Sequence, residues 1–368
     1  MKSKWVFCLI LATLSVLLIQ TGLRAANSSQ IDRVLNKKVL DDQDKKIIDD
    51  YLGTAIEILI NERDLTNIAR DREAILTKKN STQPQYILQY NESIGKYLID
   101  AFEKVKNLRP MERQSIIVAN LLILINGLDD VQFAVMPMQK LEDNNVIVRY
   151  WAVKCLTNPD VIEQLNSKKA KNPNLAQEIT DKFENMAPKS RPELLDLMAR
   201  YAAAINIPEG QKLLLQIADQ RIKSYADWTV LDVFVDGDIL KLLESKISNP
   251  SENSDVPALA QRFTQLYSYI IQRYVATKNN LSESRKTQFV TVIVDIENKC
   301  ISNMLEPQQN LQKAIQEDQM QTLIDEANKL LGSAGSQGQL PAKYGFNYGR
   351  SETGAIQTAP LTLPPRPR

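Results

Sequence analysis

Apolar side chains recur along most of this chain at the spacing that lines one face of an α-helix. Tyr51, Leu52, Ala55, Ile56 and Leu59 form one such stripe, and Ile87, Ile94, Leu98, Ala101, Phe102 and Val105 form the next. Ile116 to Ile125 is apolar nearly all round, which predicts a helix buried on most faces, because ten residues are too few to span a bilayer. Gly127, Asp129 and Asp130 then predict a turn. Further on, Ser190-Arg191-Pro192-Glu193 has the spacing of a capping box with a proline in the first turn, ahead of Leu194, Leu195, Leu197, Met198 and Tyr201.

A helix is predicted from Glu209 to Tyr225, and Asp227 is placed to cap a short one toward Val235. Asp236-Gly237-Asp238 reads as a turn; the distal ligands a calcium loop would need are missing. Stripes over Ala258 to Lys278 and Glu283 to Leu305 predict longer helices. The β-branched run Val290 to Val294 would also suit a strand, but no turn or partner strand lies nearby. Pro307 opens a last helix to Leu331, which Gly332 closes.

Glycine usage supports the all-α reading. Of the 12 glycines, six lie beyond residue 331, leaving few for the tight turns of a sheet-rich fold. From Gly332 the composition shifts to Gly, Ser, Gln, Pro and Thr, which predicts a disordered tail over 332–368. Its Leu-Pro-Pro-Arg-Pro-Arg end is either a docking peptide in polyproline form or a solvated end with no partner. One all-helical domain is expected over 27–331, with a candidate subdivision near 187–190.

The first residues have a different pattern. Lys2 and Lys4 precede an uncharged run from Trp5 to Ile19, and Ala25 and Ala26 follow. That order predicts a secretory signal peptide over 1–26 and an exported, periplasmic or extracellular protein. Leu23 or Arg24 stands where the peptidase prefers a small residue, so an uncleaved membrane anchor is the alternative.

Composition removes function classes more than it adds them. Forty-five basic and 44 acidic residues leave a net charge of +1, so no global field gathers nucleic acid or an anionic membrane. No histidine is present. The commonest general base, the Ser-His and Cys-His pairs and the commonest zinc ligand go with it. No glycine-rich phosphate loop or paired-cysteine spacing appears, and no cofactor, metal site or catalytic residue is assigned. Cys155 and Cys300 are either two buried free thiols or a single bridge. Asn80, Asn91 and Asn280 head glycosylation triplets, relevant only in a host that modifies them. The acidic clusters Asp41, Asp42 and Asp44, Asp49 and Asp50, and Asp129 and Asp130 sit at apparent helix starts and turns, where carboxylates favour the helix dipole. Trp151 is expected in the core and Tyr150 at the surface.

One segment carries a resemblance. Leu141, Asp143, Val148, Arg149, Ala152 and Leu156 follow the spacing of the second half of a HEAT repeat, with Val131 to Lys140 as the preceding helix and Pro137 at its bend. Asp143 is placed to cap the second helix, and Val148, Ala152, Cys155 and Leu156 share one face of it. The resemblance to HEAT-repeat proteins implies a helical solenoid in which the Asp and Arg join successive repeats. It covers about 25 residues, and other helix pairs lack the signature, so an irregular multi-helix bundle is the other architecture. The function expected is a non-enzymatic exported binding or scaffold protein whose partner is another protein or an envelope component. The alternatives are a carboxylate-dependent hydrolase on a helical toroid, which needs no histidine, and a membrane-anchored envelope protein.

Overall fold

The computed structural model describes residues 29–167, 172–350 and 354–366. The expected signal peptide over 1–26 lies outside the described residues. Among the described residues the regular structure is helical, with isolated bridges at Ser333–Ser336 and Arg350–Ile356 and no strand. Contacts divide the chain into a first unit ending at Asn158 and a second beginning at Pro159. The 187–190 segment falls inside the second unit, where Ala187–Lys189 is a 3-10 turn.

The first unit contains α1 (29–34), α2 (Asp42–Asn61), α3 (Leu65–Thr77), α4 (Pro84–Val105), α5 (Met111–Leu128), the short α6 (Val135–Met138) and α7 (Val146–Leu156). Asp41 starts α2 with a reciprocal cap: its carboxylate accepts from Asp44 N at 2.8 Å, and the Asp44 carboxylate accepts from Asp41 N at 3.2 Å. Ile48, Leu52, Ile56 and Leu59 then bury one face of α2.

The inner face of α4 begins one residue earlier than its apolar pattern suggests. Ile87 is 37% exposed, while Tyr86 and Tyr90 are buried. The reason is polar. Tyr86 OH donates to Lys78 O at 2.9 Å, Tyr90 OH to Ile75 O at 2.7 Å, and Tyr51 OH to Ala74 O at 3.1 Å. Three tyrosines thus donate to carbonyls at and just past the end of α3, where the regular helical bonding runs out. The pattern of α5 is as expected, and Asp129 ends it in the left-handed region at φ 50°.

The second unit contains α8 (Pro159–Asn166), α9 (Leu175–Met186), α10 (Pro192–Ala204), α11 (Pro208–Ala226), α12 (Val233–Ser248), α13 (Val256–Thr277), α14 (Glu283–Ile296), α15 (Ser302–Met304), α16 (Asn310–Gln316), α17 (Met320–Leu331) and α18 (Gln339–Tyr344). In the first unit α2 packs on α4, α3 on α5 and α5 on α7; in the second, α9 packs on α11, α10 on α12, α11 on α13 and α12 on α14. The pairing of these helices with the next but one, as well as with neighbours, is compatible with a helical solenoid.

Four local expectations are corrected. The Ser190–Glu193 capping box does not form: Arg191 is the cap residue, and Ser190 Oγ turns back to donate to Met186 O at 2.9 Å. Asp236-Gly237-Asp238 is no turn but lies within α12, which Asp232 caps, because Asp236 has a buried partner on α11. The expected helix from Pro307 to Leu331 is two, α16 and α17, separated where Asp318 adopts φ 55°.

The fourth concerns the tail, which is ordered over 332–350 and 354–366. Leu340, Phe346 and Tyr348 are buried, and Tyr348 OH donates to Leu331 O at 2.6 Å. Composition weighs only the apolar area a segment carries. It does not register hydrogen-bond partners on other elements.

The run Val290 to Val294 is helical, and α14 continues into a π-helical turn, Glu297–Ile301. This wide turn directs Glu297 inward, where its carboxylate accepts from Leu311 N and Gln312 N, each at 2.8 Å, at the start of α16. Burial raises the Glu297 pKa, opposed by those amides. Replacing Glu297 with alanine leaves two amides without an acceptor and is expected to lower unfolding stability by about 2–4 kcal/mol. A urea titration checks this; a midpoint equal to wild type would show that the amides find other partners.

Candidate functional site: a groove that holds the C-terminal strand

The residues with the HEAT-like spacing come together as a local structural unit. Leu141, Val148, Ala152 and Leu156 are buried. Asp143 does not cap α7: Asn145 does, its Oδ1 accepting from Ile147 N at 2.9 Å, while Asp143 Oδ1 accepts from Asn145 N at 2.9 Å. Arg149 donates to the carbonyls of Asp143 and Asn144 at 2.6 and 3.1 Å. The preceding segment is not one helix but a 3-10 turn, Val131–Phe133, followed by α6, which contains Pro137. Tyr150 and Trp151 are both half-buried and meet edge to face at 5.7 Å.

Cys155 and Cys300 are free and buried. Cys155 Sγ donates to Leu122 O at 3.0 Å, and burial raises its pKa far above the usual thiol range. Burial likewise pushes Cys300 up to about 12. Neither is a thiolate at neutral pH, so neither is a ready nucleophile. The acidic clusters are engaged locally: Asp41 and Asp130 accept from backbone amides at helix starts, Asp49 accepts from Tyr97 OH at 2.7 Å, and Asp129 pairs with Lys79. Among the described residues no cluster of three or more His, Cys, Asp or Glu could hold a metal ion. Among them, too, no helix is long and apolar enough to cross a membrane.

The arrangement with binding geometry is on the second unit. Gln265, Ser268 and Gln272 recur on one face of α13 at i, i+3 and i+7. The chain over 358–366, which belongs to no sheet and is called the C-terminal strand only for the way its main chain is bonded, runs across them. Gln265 makes two bonds to a single residue, accepting from Leu361 N at 2.8 Å and donating to Leu361 O at 3.3 Å. Gln272 donates to Leu361 O at 3.1 Å and accepts from Leu363 N at 2.7 Å. Two carboxamides therefore treat the strand as a neighbouring β-strand would, reading main chain rather than side chains. The α13 pattern hints at this, since polar Gln265, Ser268 and Gln272 interrupt an otherwise apolar stretch.

Trp228 extends the contact. It follows α11 in the left-handed region at φ 60°, with Trp228 N donating to Tyr225 O at 3.0 Å and Thr229 N to Ser224 O at 2.9 Å. Those two bonds close a helix with the motif that normally ends on glycine. A tryptophan there carries backbone strain. Its indole is engaged on the face and at the edge: Nε1 donates to Pro364 O at 2.8 Å, and the Arg273 guanidinium lies 3.6 Å from the ring centroid.

Gly332 sets the closest approach. A Cβ there would lie 2.1 Å from Thr358 O, and its φ of 108° suits glycine alone. Thr358 Oγ1 donates to Ser333 O at 2.7 Å. Between strand, α13 and α17 is a space of about 700 Å³ lined by Ile271, Val275, Ile324, Ala327 and Leu331 together with the strand. Among the described residues no carboxylate lines it.

The buried chemistry nearby is structural. Arg221 Nε and Nη2 bond the Asp236 carboxylate at 2.5 and 3.1 Å, Tyr225 OH donates to the same carboxylate at 2.8 Å, and Arg221 Nη2 reaches Asp232 O at 2.9 Å. Burial disfavours the guanidinium cation, but its bonds and charge interaction with Asp236 outweigh this and hold Arg221 above its ordinary range. Arg221 and Asp236 are 3% and 0% exposed, so no substrate reaches them.

No protein-family model matches this chain, and no curated protein matches its sequence. Among solved structures, the crystal structure of an engineered protein aligns over 87% of this chain and 97% of its own at 13% identity, with a TM-score of 0.23, a likeness that carries no argument about fold or function.

Proposed function

We propose that this chain is an exported, non-enzymatic helical scaffold with HEAT-like packing, and that it binds extended polypeptide in the groove on α13 and α17. The paired carboxamides of Gln265 and Gln272 carry the reading, because side chains arranged to bond the main chain of an extended segment have a recognition role that core packing does not require. Trp228 supports it, as a strained aromatic whose indole donor is used on the strand. Among the described residues the groove lacks the pair of carboxylates that a hydrolase without histidine would need.

The test supplies the strand in trans. Leu361→Pro with Leu363→Pro, in the full chain, removes both strand amides that bond the glutamines and frees the groove without touching its walls. A labelled peptide of sequence 356–366 is expected to bind this variant with a dissociation constant of the order of 10–100 μM, from about five main-chain hydrogen bonds of roughly 1 kcal/mol net each and modest apolar contact. Adding Gln265→Ala and Gln272→Ala is expected to weaken binding at least about tenfold. Fluorescence anisotropy reads both. Binding that ignores the glutamines would refute the reading.

A further inference from the structure

The resident strand fits its groove incompletely in two respects. Leu361 remains 46% exposed, and the strand leaves a largely apolar space of about 700 Å³ between itself, α13 and α17. In addition, Arg273 Nη1 is buried with no hydrogen-bond acceptor, a costly state for a charged donor. Arg273 stacks on the indole that bonds Pro364, and two residues further on the strand brings Arg366 to the same groove. The strand therefore meets a guanidinium with one unsatisfied nitrogen by bringing up a second cation. Burial lowers the Arg273 pKa, and the charge of Arg366 adds to that shift.

We propose that the groove's cognate occupant is an extended segment of another protein that offers the main-chain groups which Leu361, Leu363 and Pro364 now present and carries an acidic residue two positions further on to pair with Arg273, and that the chain's own C-terminal strand is a weaker intramolecular competitor for this site. The proposal rests on the peptide-binding reading above. It excludes a second copy of this chain as the cognate occupant, since the second copy's tail carries the same Arg366 and the same mismatch. A tethered strand presents itself at an effective concentration of the order of millimolar. With a dissociation constant of the order of 10–100 μM in trans, it suppresses an outside peptide about 10–100-fold. A partner overcomes this by making the charge-assisted bond that the resident strand lacks.

Two peptides and two full-length chains test the proposal. One peptide has the native sequence 356–366, and the other ends in glutamate in place of the final arginine. On the Leu361→Pro/Leu363→Pro chain the glutamate peptide is expected to bind about tenfold more tightly than the native one. Adding Arg273→Gln should erase that preference. On the wild-type chain both peptides should bind at least about tenfold more weakly than on the double-proline chain.

Equal binding of the two peptides, or equal binding to the two chains, would overturn the proposal while leaving the peptide-binding reading intact. Failure of both peptides to bind the double-proline chain would remove that reading as well. Self-association of the wild-type chain at tens of micromolar through exchanged tails would name the second copy as occupant and overturn the choice of partner.

A further measurement requires no vacated groove. Arg366→Glu in the intact chain is expected to slow hydrogen exchange of the Leu361 and Leu363 amides about tenfold. Unchanged exchange would count against the Arg273 pairing.

Discussion

An Asp236→Ala chain is expected to lose about 3–5 kcal/mol of unfolding free energy, the largest effect of any single polar substitution considered for this protein. The carboxylate is fully buried and takes three hydrogen bonds, two from Arg221 and one from Tyr225. Its removal leaves an uncompensated guanidinium and a phenol donor in an interior where neither can be solvated. A Tyr225→Phe chain removes one donor and leaves the ion pair, so it should lose only about 1–2 kcal/mol. The double variant Arg221→Met, Asp236→Leu removes both charges and should recover most of the Asp236→Ala loss, because a buried pair is worth little more than well-packed apolar residues. Guanidinium titrations of the variants separate these cases. A single-variant loss below about 1 kcal/mol would mean that Arg221 finds another partner or reaches water. The consequence extends to the groove: Tyr225 both bonds Asp236 and, through its carbonyl, accepts from Trp228 N, so loosening this cluster should also weaken the strand.

Gly332→Ala is expected to release the C-terminal strand while leaving the helices folded. The added Cβ would stand 2.1 Å from Thr358 O and 3.2 Å from Gly338 N, and the residue's φ of 108° is one an L side chain rarely adopts. Backbone strain of this kind costs about 1–3 kcal/mol. A strand held by main-chain bonds, with most of its side chains exposed, can yield at little further cost. Hydrogen exchange of the Leu361 and Leu363 amides should accelerate at least about tenfold, and Trp228 fluorescence should shift as its indole loses Pro364 O. Far-ultraviolet circular dichroism should remain near that of wild type. Unchanged exchange at both leucines would show that α17 shifts instead and that the strand is held more firmly than its bonds suggest.

The amino-acid sequence by itself determined the helical class and the positions of its strongest elements. The stripes of α2, α4, α5, α10, α11 and α13 are local patterns, since a helix that buries one face writes its period into its own residues. Gly332 was legible as a stop, and the β-branched run of α14 was legible as helix only because no turn or partner strand lies near it in the sequence. The HEAT-like spacing located the buried face of α7 but not its cap, which Asn145 supplies in place of Asp143.

What only the tertiary structure decided depends on partners far away in the chain. Asp236-Gly237-Asp238 looks like a turn until Arg221, fifteen residues earlier, holds Asp236 inside α12. The tail looks unable to order itself until Gln265 and Gln272, more than 85 residues before Leu361 and Leu363, satisfy its main chain. Ile87 looks like a core residue until the tyrosines beside it find the carbonyls that end α3. Periodicity reports which face of an element is apolar. It is silent on which polar groups another element will satisfy, and the groove is built almost entirely from such groups.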